Sequence, residues 1–312
     1  MPAPVPPPRS PAERTRTWRP GRPLTVAATL APLRRGGGDP AHRQEPGGAV
    51  WRCSRTPEGP GTLRLAVRGD EVLASAWGPG ADWLLDGVPA LLGEDDDPSG
   101  FEPRHAVVAS AWARHAAWRP PRTRLVLESL VPAVLEQRVT GGEARRSWRH
   151  LLLRFGEPAP GPAPAGMRVP LSGEGWRHVP SWEWHRAGVD GQRASTVVRA
   201  ARVAGRLEAT AELPGPEAGR VLRLVPGVGV WTAAEVRQRA HGDPDAVSVG
   251  DFHLAALVGW ALVGGPVDDD GMLELLSCYA GHRYRAVRMV ELSGVRKPGF
   301  APRYSPQDLR AL

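Results

Sequence analysis

The residues best suited to chemistry fall in two neighbouring stretches, LVPGVGVWTAAEV and SVGDFHLAALVGWALVG. Asp251 heads the apolar run of the second stretch and lies twenty positions beyond Trp231 in the first. A carboxylate there has two readings. It can accept hydrogen bonds from the free N–H groups of the helix that it starts, or it can face a positive charge developing on a bound molecule. Trp231 offers a matching surface, because the face of an indole attracts cations. Before it, P-G-V-G joins two helical patterns, and Gly227 and Gly229 are expected to take positive φ and to let a partner approach the backbone. The outgoing helix starts at once, so the unbonded amides of its first turn, Thr232 included, point out of the turn. Such amides suit a phosphate and carry no base preference. An ordinary tight turn between packed helices is the competing reading.

Other candidates are thinner. Cys53 and Cys278 are the only cysteines, far apart, which fits neither a disulfide scaffold nor a cysteine-rich metal site. His178, His185, His253 and His282 show no ligand spacing with cysteines or carboxylates. Asp95, Asp96 and Asp97 lack the interleaved ligands of a calcium loop and read as a solvated loop. No metal is expected.

Elements must position these groups. Residues 21–102 read as a β-rich α+β unit: PLTVAATLAPL, AVWRCSRT and GTLRLAV have strand composition, and Gly69–Asp70 turns the chain into EVLASAW. ADWLLDGVPALL then reads as a short helix. Residues 103–295 read as helical. Leu127 to Val139 carries one apolar face, and Pro132 requires that helix to start close before it. GGEARRSWRHLLLRF repeats the pattern, EPAPGPAPAG reads as a linker, and residues 181–208 read as carrying a further helix. FHLAALVGWALVG is apolar nearly all round and reads as a buried central helix. Two helices near 271–279 and 282–293 complete the core. The first twenty residues, rich in Pro and Arg, read as a disordered basic tail, and 296–312 as a C-terminal tail. The fold class is α+β.

Forty residues are Lys or Arg against 33 Asp or Glu, giving a net charge of +7, and Lys297 is the single lysine. An arginine excess of this kind points to a polyanionic partner, nucleic acid or an acidic membrane surface. No run has signal-peptide or membrane-spanning character, so a reducing cytoplasm is the expected location, with the nucleoid as the place of work.

The set LEQRVT, LVPGVGVWTAAEV and VGDFHL, behind a β-rich N-terminal unit, resembles the helix-hairpin-helix/Gly-Pro-Asp superfamily of DNA glycosylases, in particular its alkylpurine branch. The resemblance implies a small TATA-binding-protein-like α+β domain followed by an all-helical glycosylase domain with the active site in its cleft. It implies double-stranded DNA carrying alkylated bases as the partner, a monomer, and no organic cofactor, with a monovalent cation on the hairpin carbonyls as a further option. Asp251 takes the catalytic position. Family members that also cut the DNA backbone carry a lysine where this chain has Trp231. Release of the base without a covalent link is implied, and Lys297 lies far along the sequence. Trp231, with Trp182 and Trp184, are the candidate pocket aromatics, and the C-terminal pocket aromatic falls near Glu291. The residue that fills the gap left by a flipped nucleotide falls on Arg138, where the family has an apolar side chain. Gly227, Gly229, Thr232 and Arg138 are the candidate DNA contacts. The alternatives are a non-catalytic helix-hairpin-helix binding protein, or a glycosylase for oxidised or mispaired bases.

Overall fold

The computed structural model describes residues 12–298. Five antiparallel strands open the chain: β1 (Arg14–Trp18), β2 (His42–Gln44), β3 (Val50–Thr56), β4 (Gly59–Arg68) and β5 (Glu71–Trp77), in the spatial order β1-β5-β4-β3-β2. Alternation along the strands sorts side chains to two faces. Val50, Leu63, Leu65 and Ala76 point to one face, against α1 (Val26–Leu30), α2 (Ala81–Asp86) and α3 (Val88–Leu91). Trp51, Cys53 and Trp77 point to the other, where the hairpin of β6 (Glu157–Pro158) and β7 (Arg168–Val169) supplies Met167 and Val169.

Three expectations change here. Arg14 to Trp18, assigned to a disordered tail, pairs residue by residue with Leu73 to Ala76 and Val72 and forms a sheet edge; its Arg14 and Arg16 side chains reach Asp82 and Asp86 on α2. Residues 1–11 and 299–312 lie outside the described residues. PLTVAATLAPL is helical rather than extended, packing Val26 and Leu30 into the sheet's core. The EPAPGPAPAG linker is not free chain: it carries β6 and lies against Trp77.

Helices follow: α4 (Ala106–His115), α5 (Val126–Leu135), α6 (Gly141–Phe155), α7 (Gly173–Arg177), α8 (Ser181–Arg186), α9 (Gly191–Arg202), α10 (Ala204–Glu208), α11 (Gly215–Leu222), α12 (Val230–Val236), α13 (Leu254–Val263), α14 (Asp269–Leu276) and α15 (Arg283–Leu292). They bury two apolar cores. One gathers α5, α6, α9 and α12 around Leu130, Leu135, Leu151 and Val197. The other gathers α13, α14 and α15 and is completed from the front of the chain by Phe101, Val108 and Ala111. α6 starts on a capping box, Thr140 and Glu143 exchanging side-chain and backbone bonds. Pro132 sits well inside α5 rather than near its start, which removes one ladder donor. The segment 181–208 is three helices, not one.

The aspartate loop is also different from its reading as solvated. Asp96 is buried, pairing with Arg285 at 2.5 Å and with Arg119 at 3.4 Å, and so anchors the loop to α15. The sheet docks on the helices through Arg52–Glu128 at 2.7 Å, and the Trp148 indole donates to Asp39 at 2.9 Å.

Candidate functional site

α12 belongs to the first helical core and α13 to the second. Trp231, in the first turn of α12, donates from Nε1 to Oδ2 of Asp251 across 3.1 Å. Oδ1 of Asp251 accepts from the backbone N–H groups of His253 at 2.8 Å and Leu254 at 3.0 Å. Both oxygens are thereby fixed. The two readings of the carboxylate meet in one geometry: it does cap α13, and its second oxygen is turned toward the hairpin. Three hydrogen bonds favour the ionised form.

The stretch ahead of Asp251 is pinned from beneath by polar groups of α12. Ser248 donates to Glu235 at 2.6 Å and accepts from Gln238 at 2.8 Å, while its own carbonyl accepts from the Asp251 N–H at 3.2 Å. Glu235, Gln238 and Ser248 are all buried. One helix therefore holds the carboxylate twice, by the indole above and by Ser248 below.

The hairpin is built the same way. Gly227 has φ +98, and a Cβ there would lie 2.1 Å from Oγ1 of Thr196, so glycine is required by conformation and by space. Gly229 departs from expectation: its φ is −91, and a Cβ would meet nothing within 4 Å. Its backbone is open rather than strained. Thr232 also differs. Its side chain is 2% exposed and accepts from Nε2 of Gln137 at 2.8 Å, so the hydroxyl braces the hairpin and does not face a partner. Gln137 reaches the Gly227 carbonyl as well, at 3.0 Å, and Nε of Arg199 donates to the Pro226 carbonyl at 3.1 Å. A cation held by those two carbonyls does not fit, because an amide and a guanidinium already occupy them.

Arg138 directly follows Gln137, is exposed, and holds φ +55, one of two non-glycine residues in that region among those described. A strained backbone clamped on one side by the hairpin presents this guanidinium outward.

The tryptophan candidates separate. Trp231 is half-buried at the site. Trp184 is core, 4% exposed and stacked on Trp176, which stacks on Trp148; its apolar neighbours leave it no part beside Asp251. Trp182, on the opposite face of α8, is 63% exposed. Glu291 is exposed and paired with Arg288 on α15.

Two residues at the site escaped the sequence reading. Phe252, next to Asp251, is 89% exposed. Lys297, read as remote, places Nζ 2.8 Å from Nδ1 of His253 and 5.8 Å from the centre of the Phe252 ring. Separation along the chain misled here, since 44 positions intervene between Lys297 and His253.

α13 is less buried than its composition suggested. Leu254, Ala255, Val258 and Gly259 face the core, while Val263 is 57% exposed. Among the described residues no helix is long and apolar enough to cross a membrane, and no group of three or more His, Cys, Asp or Glu side chains is placed to hold a metal ion.

No protein-family model matches the chain, and no curated protein matches it in sequence. Its fold is nonetheless shared with solved DNA glycosylases. A 3-methyladenine DNA glycosylase from Archaeoglobus fulgidus superposes with a TM-score of 0.72 at 15% identity, covering 88% of this chain and 97% of the other. An 8-oxoguanine glycosylase/lyase from Clostridium acetobutylicum, without DNA, gives 0.68 at 11% identity, covering 91% and 99%. The same enzyme on double-stranded DNA with cytosine opposite 8-oxoguanine gives 0.64 at 11% identity, covering 85% and 91%. The α+β unit followed by a helical domain is the architecture of these structures.

Proposed function

We propose that the protein is a DNA N-glycosylase of base-excision repair that flips an alkylated purine, such as 3-methyladenine, out of the duplex and releases it by hydrolysis. The observation that carries this reading is the Asp251 carboxylate, held at the head of α13 and turned toward Trp231 at the hairpin. A purine alkylated at N3 or N7 is cationic, so its glycosidic bond is weakened before the enzyme acts and the base leaves without protonation. The remaining need is a fixed negative charge beside the oxocarbenium-like sugar and a place for water. Asp251 supplies the charge. Its orientation is set before substrate arrives, which removes the cost of ordering it during reaction.

The indole face of Trp231 and the exposed ring of Phe252 suit a cationic base by cation–π attraction. An oxidised, neutral base would ask instead for placed hydrogen-bond donors and acceptors, so the alkylated substrate is the better match. The open backbone at Gly229 receives a DNA phosphate, and Arg138 fills the space vacated by the flipped nucleotide. We place the protein in the cytoplasm as a monomer on double-stranded DNA, working without an organic cofactor.

Duplexes carrying a single 3-methyladenine, 7-methylguanine or 8-oxoguanine, followed by alkali to reveal abasic sites, test the reading. Release of the alkylated purines is expected. Release of 8-oxoguanine alone would move the substrate class, and binding of all duplexes with release from none would leave only a DNA-binding module.

A further inference from the structure

We propose a second activity at this site: the amine of Lys297 condenses with the abasic sugar left by base release and opens the strand beside it. The proposal rests on the glycosylase reading for its source of abasic sites. Its own ground is a juxtaposition. Of 40 Lys and Arg residues, one is lysine, and that one is brought to the ring of His253, whose backbone N–H bonds Asp251. It lies over Phe252, on the exposed side of the carboxylate.

An arginine would serve a phosphate contact at least as well, through its bidentate fork. What an amine adds is nucleophilicity toward carbonyls, which a guanidinium, always protonated, lacks. The product of base release is a hemiacetal in equilibrium with a C1′ aldehyde, so an electrophilic carbonyl forms where this amine is placed. Nothing at the start of α12 competes, since position 231 is an indole.

The step balances without oxidant or reductant. Nζ passes a proton to Nδ1 of His253, which it already contacts, and its lone pair forms a bond to C1′. The C1′ oxygen leaves as water, giving an imine. A C2′ proton is lost to water, the C3′–O bond breaks, and its electron pair departs with the 3′ phosphate. Hydrolysis of the imine restores Lys297.

The test uses the full chain and a duplex with one preformed abasic site, so no base release is needed. Sodium borohydride should trap a covalent protein–DNA adduct, and peptide mass spectrometry should map the reduced link to Lys297. Lys297→Arg, which keeps the charge, should lower the trapped yield and the strand nicking by about tenfold or more. Absence of an adduct, an adduct mapped to the N-terminal amine, or undiminished trapping by Lys297→Arg overturns the proposal. Mapping on the wild-type chain keeps the test decisive even if the variant folds poorly. A protein that traps abasic DNA yet releases no base would sink the glycosylase reading alone, and the reverse result would sink this one alone.

Discussion

The Trp231 indole N–H lies 3.1 Å from Oδ2 of Asp251, a hydrogen bond that joins the first turn of α12 to the head of α13. Trp231 is therefore a positioning donor as well as an aromatic face. Trp231→Phe keeps a ring and deletes the donor. Single-turnover base release should fall about fivefold, on the roughly 1 kcal/mol that one such bond contributes. Trp231→Ala should fall further, by the additional one to two kcal/mol, roughly, of a cation–π contact. A phenylalanine variant as fast as wild type would show that the bond does not orient the carboxylate.

The two hairpin glycines separate stability from binding. Gly227→Ala forces a side chain to φ +98 and within 2.1 Å of Thr196 Oγ1, so its melting temperature should drop, by a cost of about 1–3 kcal/mol. Gly229→Val has an ordinary backbone conformation and open space. It should melt like wild type yet bind duplex DNA more weakly, equally for damaged and undamaged strands. Binding titrations at fixed salt decide this; a loss confined to one lesion would contradict a backbone role.

For Arg138, truncation should matter only where pairing must be broken. Arg138→Ala is expected to slow release from paired duplex more than from a mismatched or single-stranded site, because extrusion costs a few kcal/mol, roughly, and least where pairing is already lost. Equal effects on all three substrates would make it a plain surface arginine.

A pH signature comes from the sheet–helix junction. Burial, then the Arg52 and Arg34 charges, hold the His42 imidazole down to about 3. Between an ordinary 6.5 and about 3 the unfolded chain takes up a proton that the native chain refuses. Stability should therefore fall as pH drops through that window, by roughly 1.4 kcal/mol per unit. Glu128, pushed up by burial, acts with the opposite sign on its own. Denaturant melts of wild type and His42→Asn at pH 6 and pH 4 isolate the histidine. An unchanged slope in the variant would show that His42 is not the group responsible.

Local signals made part of this legible. Asp251, Trp231 and the PGVG turn were readable because each rests on neighbours within a few positions, and the α+β unit followed by helices was readable from periodicity. Contacts between distant segments were not. Nothing near Lys297 marks it as a neighbour of His253, and nothing in EDDDPSG marks Asp96 as the buried partner of Arg285. Composition overstated α13, whose apolar residues run round the helix while only one side meets the core. Trp182 and Trp184 show the same limit: two positions apart on one short helix, one is exposed and the other is core. Gln137 carried a weak signal, a polar residue at a helix end beside Arg138, but its reach to Gly227 and Thr232 depends on the fold of the hairpin.

The account stands on the charge of Asp251, and Asp251→Asn measures it most directly. Asparagine still offers an oxygen to the His253 and Leu254 amides, so the variant should keep its melting temperature and its affinity for lesion DNA. Single-turnover release of 3-methyladenine should fall by about a hundredfold or more, the order expected when one preorganised electrostatic group is lost. A well-folded Asp251→Asn that releases the base at the wild-type rate would contradict the account and leave Asp251 as the cap of α13 alone.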